Sequence, residues 1–509
     1  MELPKKAGKK QKSYSGTARS GAAWSIVRQG GHELIAVPMS MVMARLLSPQ
    51  EFGVAVAASF FVLLAARLTQ LGFNAALVRI KDLREEHVSS VLVANLAVGA
   101  VSYAALFAAA PAIGRFFGSA DAGALVRIAA LTFLITPLGS VSGAMIARSM
   151  AFRKSAIVDW TDGLVGAVVT IGLALAGWSY WSIPWGQVIA SIVRVVVQAR
   201  LAGVVPSLRF SRQAIRELLS YGLGVHLKRL LEYGAANLDN LVVGKLMDLA
   251  SLGLYDKAFS TMGRLVNRLT LGQAPFRIFA IIHEDAPRFR RAYTRLILSI
   301  TMIGYPAFAF VMVAAGPLFE VLYGRQWSAA VLPFQVMCLG GMLKLLNAYA
   351  SQANEAAGGI WGQVRRQAVG LVLVVAGAAI GTHYGGITGA AIGVTAATIV
   401  LTVAMQDLVR RITGLSWPEM LAPQMPAVAG SVLVAGAALG AAVALARSGV
   451  TAPAWLMLLV EGAASAAVFA AFVLFAPFSA LRTLVGETAT EVLPAKAVGL
   501  LVRLGVRVS

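Results

Sequence analysis

Three observations predict an all-α polytopic membrane protein of about fourteen transmembrane helices, each about 20 residues. The chain has 509 residues, 58% hydrophobic and only 13% charged, with mean hydropathy +0.74. A soluble domain carries about twice that share of charge. Apolar runs long enough to cross about 30 Å of hydrocarbon recur along the whole length. They are continuous rather than alternating, which argues against a β-barrel. Finally, the second half repeats the first. At an offset of 200, Arg45-Leu46-Leu47 falls on Lys245-Leu246-Met247, Phe52-Gly53 on Leu252-Gly253, and Arg28 on Lys228. At an offset of 206, Pro111 falls on Pro317 and Gly118 on Gly324.

In chain order, residues 1–19 are a basic, Lys/Ser/Gly-rich cytoplasmic tail. An N-terminal six-helix lobe spans 20–202, with helices near 20–45, 53–76, 88–110, 123–147, 156–177 and 182–202. Residues 203–217, with Pro206 and the amphipathic run Leu208–Arg212, read as a cytoplasmic interfacial linker. A second six-helix lobe spans 218–410, with helices near 218–247, 251–281, 292–316, 329–357, 364–383 and 386–409. Two additional helices near 422–446 and 453–477 lie within 420–478, and 479–509 is a cytoplasmic tail. Six helices per repeat leave both lobes in one orientation, so their pseudo-twofold axis runs along the membrane normal. Every second loop is basic (Arg79/Lys81/Arg84, Arg148/Arg153/Lys154, Arg288/Arg290/Arg291), which sets both termini in the cytoplasm. This distribution assigns the net charge of +21 to lipid contact and not to nucleic acid.

The chemistry lies inside the spans. A cation at a helix centre costs about 2.5–3.5 kcal/mol on insertion scales. Yet Arg28 sits roughly 12 Å into the first helix. Arg67 is in the second, Lys228, Glu232 and Asp239 in the seventh, and Lys257, Arg264 and Arg268 in the eighth. Lys228, Glu232 and Asp239 follow one helical face, as do Lys257, Thr261, Arg264 and Arg268. A shared hydrated chamber, opening alternately to each side, would solvate these cations and suit a small, multiply charged anion, since guanidinium forks match phosphate oxygens. Glu33, Glu232 and Asp239, with Asp159 and Asp162, are candidates for ion coupling or charge balance. Snorkelling to the headgroups is the competing reading for Arg67 and Arg268, and a plain ion pair for Lys228 and Glu232. Gly30-Gly31 and Pro38 are expected to interrupt the first helix, and Pro275 the eighth. Trp178, Tyr180, Trp181 and Trp185 read as an interfacial belt.

Other chemistries lack their residues. His32-Glu33 starts a zinc-protease motif, but Ala36 stands where the second His is needed. The five histidines and the single Cys338 have no metal-ligand spacing, and no phosphate-binding Walker loop is present. No cofactor or metal is expected. No loop is long enough to hold an external catalytic domain, so an enzyme is not expected.

The stretch Ala44-Arg45-Leu46-Leu47-Ser48-Pro49-Gln50-Glu51-Phe52-Gly53 closely resembles the ARLLSPEEFG signature of bacterial oligosaccharide flippases. These form the polysaccharide-transport branch of the multidrug/oligosaccharidyl-lipid/polysaccharide exporter superfamily. The likeness continues through Leu71–Val78, Leu131–Lys154, Asn237–Lys245 and Leu322–Trp327, covering about 20–410, and is nearest in type to colanic-acid exporters. It implies a flippase that moves undecaprenyl-diphosphate-linked repeat units across the bacterial cytoplasmic membrane for exopolysaccharide, capsule or O-antigen synthesis. It implies that helices one, two, seven and eight line the cationic chamber and, by position, that Arg28, Arg67, Lys228, Arg264 and Arg268 hold the diphosphate. It also implies polysaccharide polymerase and export machinery as partners, besides the lipid-linked substrate and membrane lipids. The rival readings are a cation-coupled multidrug exporter of the same superfamily, a membrane polymerase or ligase, and a scaffold for polysaccharide assembly. The first would favour an acidic, aromatic chamber, and the second a large external loop.

Overall fold

The computed structural model describes residues 30–31, 33–69, 73–80, 82–203, 209–213, 223–270, 272, 274–448 and 452–475. Among the described residues it is all-helical. We number the helices α1 (33–46), α2 (Pro49–Leu68), α3 (Phe73–Arg79), α4 (Glu85–Phe117), α5 (Ala120–Ala130), α6 (Thr132–Arg148), α7 (Phe152–Leu173) and α8 (Ser182–Ala202). These are followed by α9 (Leu223–Leu246), α10 (Leu249–Leu269), α11 (Ala274–Ile282), α12 (Ala286–Val313), α13 (Ala315–Leu322) and α14 (Val331–Ala356). The last are α15 (Ile360–Thr413), α16 (Trp417–Leu421), α17 (Met425–Arg447) and α18 (Ala454–Phe475). Nine helical runs among the described residues are long and apolar enough to cross a membrane, two of them bent at glycines. The protein is therefore an all-α multi-pass membrane protein. α9 and α10 stand outside those nine by composition, since both carry several charges.

The chain forms two compact units. Unit 1 comprises residues 1–47 and 57–222; unit 2 comprises 48–56 and 223–509. In unit 1, α4 packs on α5 and α6, and α8 on α6 and α7. Phe73, Leu77, Val88, Val91, Leu92 and Val141 make a core beneath α3. Arg148, one of the loop cations, also caps that helix. Its Nη1 donates to the carbonyls of Leu77 and Ile80 at 2.8 and 2.6 Å, satisfying acceptors that the helix end leaves orphaned. Of the linker, 209–213 is described; the Ser211 amide donates to Ser90 Oγ on α4 at 2.8 Å.

In unit 2, α15 packs along α9 and α14, α12 along α14 and α17, and α17 along α18. The first turn of α2 belongs here too. Ser48 and Glu51 form a capping box: the Ser48 amide donates to Glu51 Oε2 at 2.8 Å, and the Glu51 amide to Ser48 Oγ at 3.3 Å. At the repeat-related head of α10, Asp248 Oδ1 accepts from the Ser251 amide at 2.7 Å. These two helix starts cross backbone to backbone. A Cβ on Gly53 would collide with the Leu249 carbonyl, and one on Gly253 with the Pro49 carbonyl.

Prolines and glycines act differently from expectation. α1 runs unbroken through Pro38, so Pro38 does not interrupt it. The break near Pro275 precedes the proline: α10 ends at Leu269, and Pro275 falls in the first turn of α11, where a missing amide hydrogen costs nothing. The segments expected near 364–383 and 386–409 are two helical arms of α15, joined by a non-helical kink at Gly385 and Gly386, the latter at φ 56°. Above that bend the two arms are spaced by Gly377, Gly381, Gly389 and Gly393, each facing the other arm's backbone.

Candidate functional site

α9 and α10 are polar because the sequence spends their inner faces on charge, and unit 2 treats those charges unevenly. Asp239 is fully buried. Its Oδ2 accepts from Tyr255 OH at 2.9 Å and its Oδ1 from the Asn240 amide at 3.0 Å. Asn240 Nδ2 in turn donates to Asp256 Oδ1 at 2.9 Å. Thus the expected coupling residue Asp239 is tied into a buried network that pins α9 to α10. The half-buried Lys344 on α14 contributes an attractive charge to Asp239 and holds its Nζ 4.4 Å from the Phe259 ring centroid.

Lys257, placed by periodicity on the same face as Arg264 and Arg268, is only 1% exposed. Its Nζ lies 3.7 Å from the Phe52 ring centroid and 4.9 Å from those of Tyr323 and Trp327. Phe52 and Trp327 meet edge-on at 5.6 Å. Thr261 completes the cage, bonding Tyr323 OH at 2.9 Å. The π-faces stabilise the ammonium that burial desolvates. Further along α10 the charges emerge: Arg264 is half-buried and Arg268 exposed. Arg67, in the last turn of α2, is exposed, and Glu33 on α1 is half-buried. Arg67 and Arg264 make no ion pair among the described residues. Arg28 lies outside the described residues, as do the side chains of Lys228 and Glu232 on α9.

The sequence reading passed over three charges. Lys257 was seen but assigned to the open face; Lys344 and Arg194 were not singled out. Arg194 on α8 donates Nη1 to Asp162 Oδ2 at 2.9 Å, and its Nη2 lies 3.4 Å from Asp159 Oδ1, both acids on α7. The i, i+3 spacing of two acids within an apolar run was the available signal that a cation faced them. No group of three or more His, Cys, Asp or Glu side chains among the described residues could hold a metal ion.

Residues 42–332 match the model of a family described as polysaccharide biosynthesis protein. Among curated relatives, the lipopolysaccharide biosynthesis protein WzxC of Escherichia coli (strain K12) is 22% identical over 333 residues, covering 64% of this chain and 67% of its own. The succinoglycan biosynthesis transport protein ExoT of Rhizobium meliloti (strain 1021) is 27% identical over 320 residues, covering 62% and 64%. The chain thus spans about two thirds of the curated relatives it matches. Its fold is similar to that of the lipid II flippase MurJ in an inward closed conformation, with TM-score 0.70 and 12% identity over 89% of this chain and 98% of that one. It is also similar to an inward-facing multidrug resistance MATE family transporter, with TM-score 0.63 and 15% identity over 75% and 95%.

Proposed function

This chain belongs to the polysaccharide biosynthesis protein family, and we propose that it is a flippase for lipid-linked oligosaccharides. It moves undecaprenyl-diphosphate-linked repeat units across the bacterial cytoplasmic membrane by alternating access, supplying exopolysaccharide, capsule or O-antigen synthesis. Both termini face the cytoplasm, and polysaccharide polymerase and export machinery take over the product. No covalent step is needed. The diphosphate is assigned to the cations that the sequence singled out: Arg264 and Arg268 on α10, with Arg28, Arg67 and Lys228 completing the set. Glu33, Glu232 and Asp239 balance or couple that charge. The relatives' roles in lipopolysaccharide and succinoglycan biosynthesis support the substrate class.

One observation carries the site assignment: Arg264 stands half-buried on a helix of a membrane protein with no direct ion pair among the described residues, its electrostatic neighbour Asp256 being held by Asn240. An unpaired guanidinium there is tolerable when water and an anionic ligand reach it. The membrane potential would bias the transfer of an anionic head group by about 2.3 kcal/mol per charge per 100 mV. The test is reconstitution in liposomes with a polyprenyl-diphosphate saccharide whose leaflet is read by chemical accessibility. Arg264→Ala with Arg268→Ala, and separately Arg28→Ala with Lys228→Ala, should abolish transfer at normal expression and melting temperature. Transfer at the wild-type rate in either double variant refutes the diphosphate assignment. A multidrug exporter would instead move a lipophilic cation and leave the lipid-linked saccharide in place.

A further inference from the structure

α18 buries two of its 22 residues, and both are polar: Glu461 is 2% exposed and Ser465 5%. Its large apolar side chains Trp455, Leu459 and Phe475 are exposed instead. A helix in lipid sorts its faces this way, apolar outward and ionisable against protein. One turn apart, Glu461 and Ser465 share a face. That face lies on α17. Ser465 Oγ donates to the Val434 carbonyl at 3.4 Å, and a Cβ added to Gly430 would stand 3.0 Å from Phe472. The two helices run antiparallel, so the next turn sets Glu461 level with the fully buried Ala438. Beside it, a Cβ added to Gly462 would stand 3.6 Å from Phe310 of α12.

The Glu461 carboxyl has no partner in this enclosure. Its Oε2 is buried without a hydrogen bond, and it makes no ion pair among the described residues. No other charge lies on α18. Among the helices packed on it, α17 carries only Arg447, exposed in its last turn. α13 carries only Glu320, whose Oε1 accepts from Arg325 Nε at 2.8 Å. The arginines of α12, Arg288, Arg290, Arg291 and Arg295, fall in its first three turns, toward the end away from Phe310. Its Tyr293 and Tyr305 hydroxyls donate to Gln406 and Gln424.

We propose that Glu461 is a proton-binding site and that its bound proton latches α18 onto α17. The site is independent of the flippase assignment. An ionised carboxylate enclosed without water, hydrogen-bond donor or cation is not sustained, whereas a neutral carboxylic acid is. A metal ion would need several oxygen ligands, and Ser465 is the one other buried polar side chain that α18 offers. A proton needs one. Glu461 lies seven residues from Ala454, about 10 Å along the helix. A small outward shift of that end brings the carboxyl to water, where it ionises. Once charged, it no longer fits between the helices. Loss of the proton and loss of the contact with α17 are therefore one event.

The experiment uses the full chain in lipid nanodiscs. Amide hydrogen exchange is followed by mass spectrometry from about pH 6 to about pH 9, a range in which a water-exposed glutamate is fully ionised. Rates are corrected for the intrinsic pH dependence of exchange. The opening constant of α18 should rise about tenfold per pH unit, because each opening releases one proton. α6, whose charged group is Arg148, should stay flat and serves as the internal reference. Glu461→Gln keeps the shape of the neutral acid and cannot ionise, so its α18 should show no pH slope. Infrared difference spectra at about pH 7 should show a protonated-carboxyl band in the wild type that Glu461→Gln lacks. A flat α18 in the wild type, a wild-type slope in Glu461→Gln, or no band lost in that variant overturns the assignment. If Glu461→Gln does not fold, the wild-type slope decides alone.

Discussion

At the head of α2, Ser48 and Glu51 cap a helix start; at the repeat-related head of α10, Asp248 and Ser251 cap another. Gly53 and Gly253 then let those starts touch. The repeats share this scaffold but handle charge in opposite ways. In unit 1, Arg194, Asp159 and Asp162 meet at the wall of a wet cavity. In unit 2, Lys257 is enclosed by aromatic rings and Asp239 by hydrogen bonds. Hydrated ions are cheap to alter, since water replaces a lost partner. Desolvated ions are structural, because each depends on a few fixed partners. A duplicated fold can thus keep its geometry while one copy leaves its acids hydrated and the other seals its own.

The contrast can be broken at four places. Gly53→Val should have the largest effect. Its side chain meets a carbonyl that cannot move, and no monodisperse protein should survive size-exclusion chromatography, whereas Gly163→Ala should behave as wild type. Lys257→Ala should come next, costing about 2–5 kcal/mol by leaving the cage hollow. Lys257→Met, which refills the volume, should cost much less, as read from thermal melts in detergent. Asp239→Ala should cost about 1–3 kcal/mol by stranding the buried Tyr255 hydroxyl. Asp162→Asn should shift stability least, by about 1 kcal/mol or less, since its partner is solvated. A melt for Asp162→Asn as damaged as that of Asp239→Ala would erase the distinction between the units.

Much of this was legible from sequence. Hydropathy gave the fold class, and the echo of Phe52-Gly53 in Leu252-Gly253 marked the repeat, though not that the two glycines meet. The acids at 159 and 162 announced themselves as charges in an apolar run. What was not legible came from other helices. Arg194 is 32 and 35 residues from its partners, and nothing on α8 alone reveals them. Periodicity put Lys257 in line with Arg264 and Arg268, yet it could not say that Phe52, Tyr323 and Trp327 would close over it. Proline was misread for a local reason. Its harm depends on where the helix begins, and at α11 the helix begins at the proline's own doorstep.

Residues 48–56 belong to unit 2 although unit 1 flanks them on both sides. The gene therefore cannot be divided into two self-sufficient halves. A fragment starting at Leu223 would lack Phe52 for its cage and Gly53 for its helix crossing.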